Sequence, residues 1–115
     1  MKIERIAPGH RMSSAVVHGN TVYLSGHVSG DRTLGVQGQT RSILERIEQR
    51  LAESGSDKSR ILSVQIWLAD IATFDEMNEV YDAWVDQAHP PARATVEARL
   101  ASPDYLVEIA AIAAR

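Results

Sequence analysis

The sequence contains no cysteine among its 115 residues. Disulfide bonds, thiolate nucleophiles and zinc sites built from cysteine are therefore excluded. No long apolar run follows the N-terminal residues 1–5, so a signal peptide is not expected. No stretch approaches the length that crosses a bilayer, and we expect no membrane partner. Together these absences favour a cytoplasmic protein.

The chain also lacks a stripe of clustered positive charge. The formal net charge is −3, and the basic residues are mixed with acidic ones, as in residues 41–46. Binding to nucleic acid depends on clustered positive charge that neutralises phosphates. The sequence therefore disfavours a nucleic-acid partner.

The overall composition is that of a globular protein. Hydrophobic residues make up 44% of the chain and charged residues 23%, which argues against disorder. The length suits one compact domain, and no linker, internal repeat or low-complexity tract divides it. We therefore expect residues 1–115 to form a single domain.

The first half of the chain predicts three strands followed by a helix. Residues 2–6 form a short candidate strand, and residues 15–18 and 21–25 form a β-hairpin around a Gly-Asn turn. Residues 26–38 indicate a loop. An amphipathic helix follows, and Gly55 suits its C-terminal cap. Its apolar residues recur at three- and four-residue spacing: Ile43, Leu44, Ile47 and Leu51.

The second half begins with a strand and a second helix. Residues 61–69 predict a strand whose apolar side consists of Leu62, Val64, Ile66 and Leu68. Thr73 and Glu76 form the pattern of a capping box at the start of the helix, and Pro90-Pro91 stops it. The helix is expected to bury four residues: Met77, Val80, Tyr81 and Trp84.

Two final strands, residues 93–100 and 105–114, complete the order βββαβαββ. This order predicts an α+β fold in which two helices lie on one face of a mixed sheet. Both faces of the last strand are apolar except at Glu108. Because the helices can cover only one face, we expect neighbouring copies of the chain to cover the other.

Arg93 is the first candidate functional residue, because it begins a strand directly after the Pro-Pro stop. Its guanidinium is a planar fork of donors that matches a carboxylate. An exposed arginine at a strand start, without any function, is the plain alternative. The residue alone leaves both interpretations open.

Glu108 is the second candidate, as the one ionisable residue on its face of the last strand. A carboxylate among apolar neighbours is costly unless it is paired, and such a group suits proton transfer. The alternative is a structural ion pair with Arg99 or Arg93. The sequence does not decide between these roles.

The four histidines give no metal-binding pattern: His10, His18, His27 and His89. They lack the His-x-x-x-His spacing of a helical zinc site, so surface or hydrogen-bonding roles are favoured. The glycines are too irregular for a phosphate-binding or dinucleotide loop, and no nucleophile elbow surrounds Ser25. We therefore expect neither a metal nor a cofactor.

Three segments carry a family resemblance. Residues 91–99 read Pro-Ala-Arg-Ala-Thr-Val-Glu-Ala-Arg, residues 106–109 read Leu-Val-Glu-Ile, and residues 19–26 read Gly-Asn-Thr-Val-Tyr-Leu-Ser-Gly. The first two resemble the C-terminal signature of the YjgF/RidA (reactive intermediate deaminase) family, and the third resembles its early hairpin strand. The resemblance spans nearly the whole chain.

This resemblance implies a chorismate mutase-like fold, a homotrimer, and active sites in clefts between subunits. It also implies an enzyme that needs no cofactor and hydrolyses reactive enamines and imines, such as 2-aminoacrylate, to a 2-keto acid and ammonia. Arg93 would hold the substrate carboxylate. Glu108 would activate the attacking water and help protonate the leaving nitrogen. The backbone of Thr95 would contact the imine nitrogen or the water.

The resemblance also implies that Ser25 and Gly26 line the pocket, and that Asn78 and Tyr81 lie near it or have a structural role. The sequence departs from many relatives at Met12, which replaces a pocket tyrosine, and at His27, which replaces a glutamine. Met12 is flexible and apolar, and His27 can change charge near neutral pH. Both departures are expected to line the pocket and alter the range of substrates.

Two other function classes remain open. The same arginine cleft could belong to a non-catalytic trimer that senses 2-keto acids or similar carboxylates. The chain could instead interact with RNA or act as a holdase, although its acidic charge argues against RNA. The presence of Glu108 together with Arg93 favours the enzyme.

Overall fold

Six strands and two helices alternate along the chain in the predicted order βββαβαββ. The computed structural model describes all residues 1–115. The strands are β1 (Ile3–Ile6), β2 (Ala15–His18), β3 (Thr21–Leu24), β4 (Ile61–Leu68), β5 (Ala92–Glu97) and β6 (Val107–Ala114). The helices are α1 (Val36–Glu53) and α2 (Phe74–Trp84). Neither helix is long and apolar enough to span a membrane.

The strands form one mixed sheet in the order β1-β2-β3-β6-β4-β5. All neighbours are antiparallel except β4 and β5, which are parallel because α2 lies between them in the chain. The last strand, β6, lies in the middle of the sheet, and β1 and β5 form its two free edges. The α+β prediction and the mixed sheet are therefore confirmed.

Both helices pack on one face of this sheet, which we call the inner face. The predicted apolar residues of α1 and the residues Met77, Val80 and Tyr81 of α2 are buried, and Trp84 packs at the margin of the core. On β6 the buried side consists of Val107, Ile109, Ala111 and Ala113. The opposite, outer face keeps large apolar side chains in contact with solvent: Tyr23, Val96 and Ile112.

The hairpin and the end of α1 follow the predicted turn chemistry. Gly19 adopts a φ of +61° in the two-residue turn between β2 and β3. Gly55 adopts a φ of +79° just beyond the end of α1. Glycine accepts this left-handed conformation without the strain that a β-carbon imposes, so both turns require it.

Leu62 was expected in the core, and this expectation is wrong. The register between β4 and β6 shifts between Ile61 and Ser63. A bulge of this kind turns the preceding side chains to the other face. Ile61 is consequently buried, whereas Leu62 is 52% exposed.

The expected capping box at α2 is also wrong. The Thr73 side chain makes no cap to the helix and donates to the Asp70 carbonyl oxygen at 2.7 Å. Asp70 instead accepts from the Ala72 N–H at 2.9 Å and begins a short 3₁₀ turn that leads into the helix. The predicted loop over residues 26–38 is also too long, since α1 begins at Val36.

Candidate active site

Arg93 lies near the start of the edge strand β5, with its side chain against α2. Its Nη1 donates to Oδ1 of Asn78 at 2.6 Å. The guanidinium carbon lies 4.6 Å from the ring centre of Tyr81 and 5.7 Å from that of Phe74. Residues 74, 78 and 81 share one face of the helix, so α2 alone holds the guanidinium in place.

The charge of Arg93 is not neutralised within the chain. Arg93 lines a cavity of about 540 Å³ together with Asp75 and Asp82. Neither aspartate forms an ion pair with Arg93. One of the five guanidinium N–H groups is used by Asn78, and the side chain is exposed. The remaining donors are free to bind an external carboxylate.

Glu108 lies on β6 opposite Trp67 of β4, on the outer face of the sheet. The residue is half-buried, and its carboxylate makes no hydrogen bond and no ion pair within the chain. Pairing with Arg99 or Arg93 does not occur. A β-carbon on Gly26 would collide with Oε2 of Glu108, so this glycine makes room for the carboxylate.

Arg93 and Glu108 lie on opposite faces of the sheet. Arg93 pairs with Val64, whose side chain is in the core, whereas Glu108 pairs with Trp67, three residues further along β4. Side chains three residues apart on a strand point to opposite faces. A small substrate could therefore not contact both groups of one chain.

Thr95 presents its backbone, not its side chain, at the edge of the sheet. Its hydroxyl lies on the inner face, buried and without a hydrogen-bond partner. The Ala98 N–H donates to the Leu68 carbonyl at 2.9 Å. Because amide directions alternate along a strand, the N–H groups of Arg93 and Thr95 point away from β4, towards the free edge.

The Ser25-Gly26-His27 segment follows β3, and its last residue forms hydrogen bonds to β6. His27 exchanges backbone hydrogen bonds with Ile109, which lies in the core, so its ring is on the inner face and not beside the Glu108 carboxylate. Its Nδ1 is 2.7 Å from the Ser25 carbonyl oxygen. Burial lowers the pKa of His27 below its ordinary value, and the nearby charges of Arg50 and Arg46 act in the same direction.

Met12 lies in the loop between β1 and β2 and is 54% exposed. The Ser25 N–H donates to the Ser14 carbonyl oxygen at 3.0 Å, which ties this loop to the end of β3. Met12 therefore belongs to the same end of the sheet as Gly26 and Glu108, and it is free of the core.

Gln39 is a structural residue that the helical spacing of apolar residues does not predict. It is fully buried on α1, and its Nε2 donates to the carbonyl oxygens of Leu34 and Asp104 at 3.0 Å each. Its Oε1 accepts from the Leu106 N–H at 3.0 Å. This side chain fixes the loop that leads into β6 and thus positions Glu108. The sequence contained one indication of this role, because Gln39 lies four residues before Ile43 and therefore on the buried face of α1.

No three histidine, aspartate or glutamate side chains lie close enough together to bind one metal ion.

Comparisons with known proteins place this geometry in context. Residues 2–115 match the family described as Endoribonuclease L-PSP. The chain is 44% identical to a RutC family protein of Haemophilus influenzae, over 98% of both chains, and 43% identical to the RutC family protein YoaB of Escherichia coli, over 99% of both. It also resembles the crystal structure of a YjgF family member from Neisseria meningitidis, with a TM-score of 0.96 and 42% identity over 100% of this chain and 96% of the other. The chain belongs to the YjgF/RidA family.

Proposed function

We propose that this protein is a cofactor-free enzyme that hydrolyses reactive enamines and imines of the 2-aminoacrylate or 2-imino acid type. The products are a 2-keto acid and ammonia. The proposal rests on two groups that have no ion-pair partner within the chain. The Arg93 guanidinium is held in place by residues of α2, and the Glu108 carboxylate is half-buried. A cationic carboxylate binder and a proton-transfer group are the two components that such a hydrolysis needs.

The reaction is balanced without a metal or a redox partner. After an enamine has taken a proton to become the imine, water adds to the carbon of the C=N bond. Glu108 accepts a proton from that water and delivers it to the nitrogen. The C–N bond of the resulting carbinolamine then breaks, and its electron pair leaves with ammonia. The carbonyl group of the 2-keto acid forms as the remaining hydroxyl gives its proton, through Glu108, to the leaving nitrogen, which therefore departs as neutral ammonia.

Arg93 holds the substrate carboxylate through the donors that Asn78 leaves free. The Thr95 N–H at the free edge of β5 binds the water or the imine nitrogen, as its backbone direction allows. Ser25 and Gly26 line the pocket beside Glu108. Met12 contributes a flexible apolar wall that changes which substrates are hydrolysed fastest. His27 lies on the inner face and contacts the pocket only indirectly, through its hydrogen bond to the Ser25 carbonyl oxygen.

The complete site lies between copies of the chain. Because Arg93 and Glu108 point to opposite faces, one copy supplies the guanidinium and its neighbour supplies the carboxylate. A homotrimer in a chorismate mutase-like arrangement provides such boundaries. It also covers the apolar outer face at Tyr23, which is 46% exposed, and Val96, which is 50% exposed.

The test generates a 2-imino acid in solution with an amino-acid oxidase and follows its decay with the protein present and absent. Faster decay, with equal release of ammonia and 2-keto acid, is the expected result. Decay at the spontaneous rate contradicts the proposal. If a 2-keto acid still binds in that case, the protein is the non-catalytic sensor. Since the matched family is described as an endoribonuclease, RNA cleavage is assayed in parallel.

A further inference from the structure

Asn78 makes a direct side-chain hydrogen bond to Arg93, and the acceptor in this contact is an uncharged amide oxygen. Nη1 of Arg93 lies 2.6 Å from Oδ1 of Asn78, while the guanidinium carbon lies 4.6 Å from the centre of the Tyr81 ring. The anchor is a neutral amide, although carboxylates are available on the same helix at Asp75 and Asp82. Neither aspartate pairs with Arg93.

A neutral acceptor orients a guanidinium without consuming its charge. A carboxylate at the same place would form a charge-assisted pair, frequently through two parallel hydrogen bonds, and would compete with any incoming carboxylate for the same donors. An amide oxygen uses one donor and leaves the fork and its full charge available. The difference matters most in a cleft from which water is partly excluded.

We propose that Asn78 is a positioning residue that aligns the Arg93 guanidinium for a substrate carboxylate while keeping its charge unneutralised. This inference rests on the proposed function. Asn78 acts through Arg93 and does not need to touch the substrate. Its amide fixes the orientation of the guanidinium, which contact with the rings of Tyr81 and Phe74 alone leaves free to rotate.

The decisive variant is Asn78→Asp, because it keeps the shape and the acceptor and adds only a charge. We expect the KM for the imine and the Kd for the 2-keto acid product to rise by about tenfold or more, with a smaller change in kcat. We expect the thermal midpoint to stay unchanged or rise, because the pair with Arg93 becomes stronger. Asn78→Ala loosens the guanidinium without neutralising it and should raise both constants by only about two- to fivefold.

This order distinguishes positioning from support of the fold. A residue with only a structural role would tolerate the isosteric aspartate better than alanine, whereas the proposal requires aspartate to bind substrate worse while being at least as stable. The matched control is Asn20→Asp, which makes the same charge change in the distant turn between β2 and β3 and should leave KM and Kd unchanged.

Calorimetric titration of the 2-keto acid separates the possible failures. If the wild-type protein neither hydrolyses imines nor binds the 2-keto acid, the proposed function fails. If wild type binds and Asn78→Asp binds within about twofold of it, the positioning role is overturned. Should Asn78→Asp not fold, an unchanged Kd in folded Asn78→Ala overturns it equally.

Discussion

The carboxylate of Glu108 lies against the backbone of Gly26, so closely that a β-carbon there would collide with Oε2. Gly26 follows the end of β3, and Glu108 lies near the start of the neighbouring strand β6. Together they form the part of the candidate site that holds the carboxylate. Since the colliding atom is the end of a flexible side chain, a substitution at Gly26 can be relieved by moving the carboxylate.

Gly26→Ala should therefore slow catalysis without unfolding the protein. Displacing a proton-transfer group costs about 10²-fold in kcat, whereas the loss of stability should stay below about 1 kcal/mol. Steady-state kinetics and urea unfolding measure the two effects. Gly35→Ala is the control, because no atom lies within 4 Å of its added β-carbon. Equal activity in Gly26→Ala and wild type would show that the Glu108 position is unimportant.

Arg93→Ala should remove most of the activity, and Arg93→Lys should recover little of it. Loss of a charge-assisted contact to a carboxylate costs about 1.5–3 kcal/mol, and an ammonium cannot replace the planar fork held by Asn78 and Tyr81. The measurement is kcat/KM on a 2-imino acid, with Arg41→Lys on the exposed side of α1 as the control. A folded Arg93→Ala protein with wild-type kcat/KM would remove Arg93 from the site.

Gln39→Leu should destabilise the protein by about 2–5 kcal/mol, because three backbone groups lose their hydrogen bonds to the buried Gln39 amide. Chemical denaturation measures the change in the free energy of unfolding. Gln49→Leu provides the comparison, since Gln49 is exposed on the same helix. A loss for Gln39→Leu no larger than that for Gln49→Leu would mean that the buried network contributes nothing.

Stability should fall as the pH drops through the ordinary pKa of histidine. Burial lowers the pKa of His27 below 6.5, the ordinary value for histidine. As the pH falls below that value, the unfolded chain therefore binds a proton at this residue more readily than the folded chain does. The contribution of His27 to the free energy of unfolding is therefore fully present above that pH, and it decreases as the pH falls below it. His27→Gln should flatten the profile between about pH 7 and pH 5 relative to wild type, whereas His10→Gln, at an exposed position, should not. Parallel profiles for His27→Gln and wild type would contradict the assignment.

Much of the fold could be predicted from the sequence because its patterns are local. Helical spacing identified the buried side of α1, and the Gly-Asn turn identified the hairpin. The last strand, β6, lies in the middle of the sheet, and the helices cover only its inner face, so that Ile112 on the outer face stays exposed. The exposure of Leu62 could not be predicted, because a bulge depends on pairing between two strands and leaves no periodic trace in either.

The positions of the candidate site residues relative to one another could also not be predicted from the sequence. The sequence singled out Arg93 and Glu108 separately, yet their opposite faces follow only from the parallel register of β5 on β4 and the antiparallel register of β6. His27 follows the short Ser25-Gly26 segment after β3, and only its backbone bridge to Ile109 places it on the inner face. Such long-range pairings determine the site and are not encoded in any single segment.

A site shared between copies makes a direct prediction about mixed assemblies. Arg93→Ala and Glu108→Gln should each be nearly inactive alone, the latter by about 10²–10⁴-fold in turnover. When the two variant chains are unfolded together and refolded in equal amounts, some boundaries combine an intact Arg93 from one copy with an intact Glu108 from another. Random mixing makes about a quarter of the boundaries complete in this way.

The measurement is the imine-hydrolysis rate of this mixture, with native mass spectrometry confirming that hybrid assemblies have formed. The proposed shared site predicts about a quarter of the wild-type activity per chain. If the hybrids form and the mixture is no more active than the two variants measured separately, Arg93 and Glu108 do not act together across a boundary between copies.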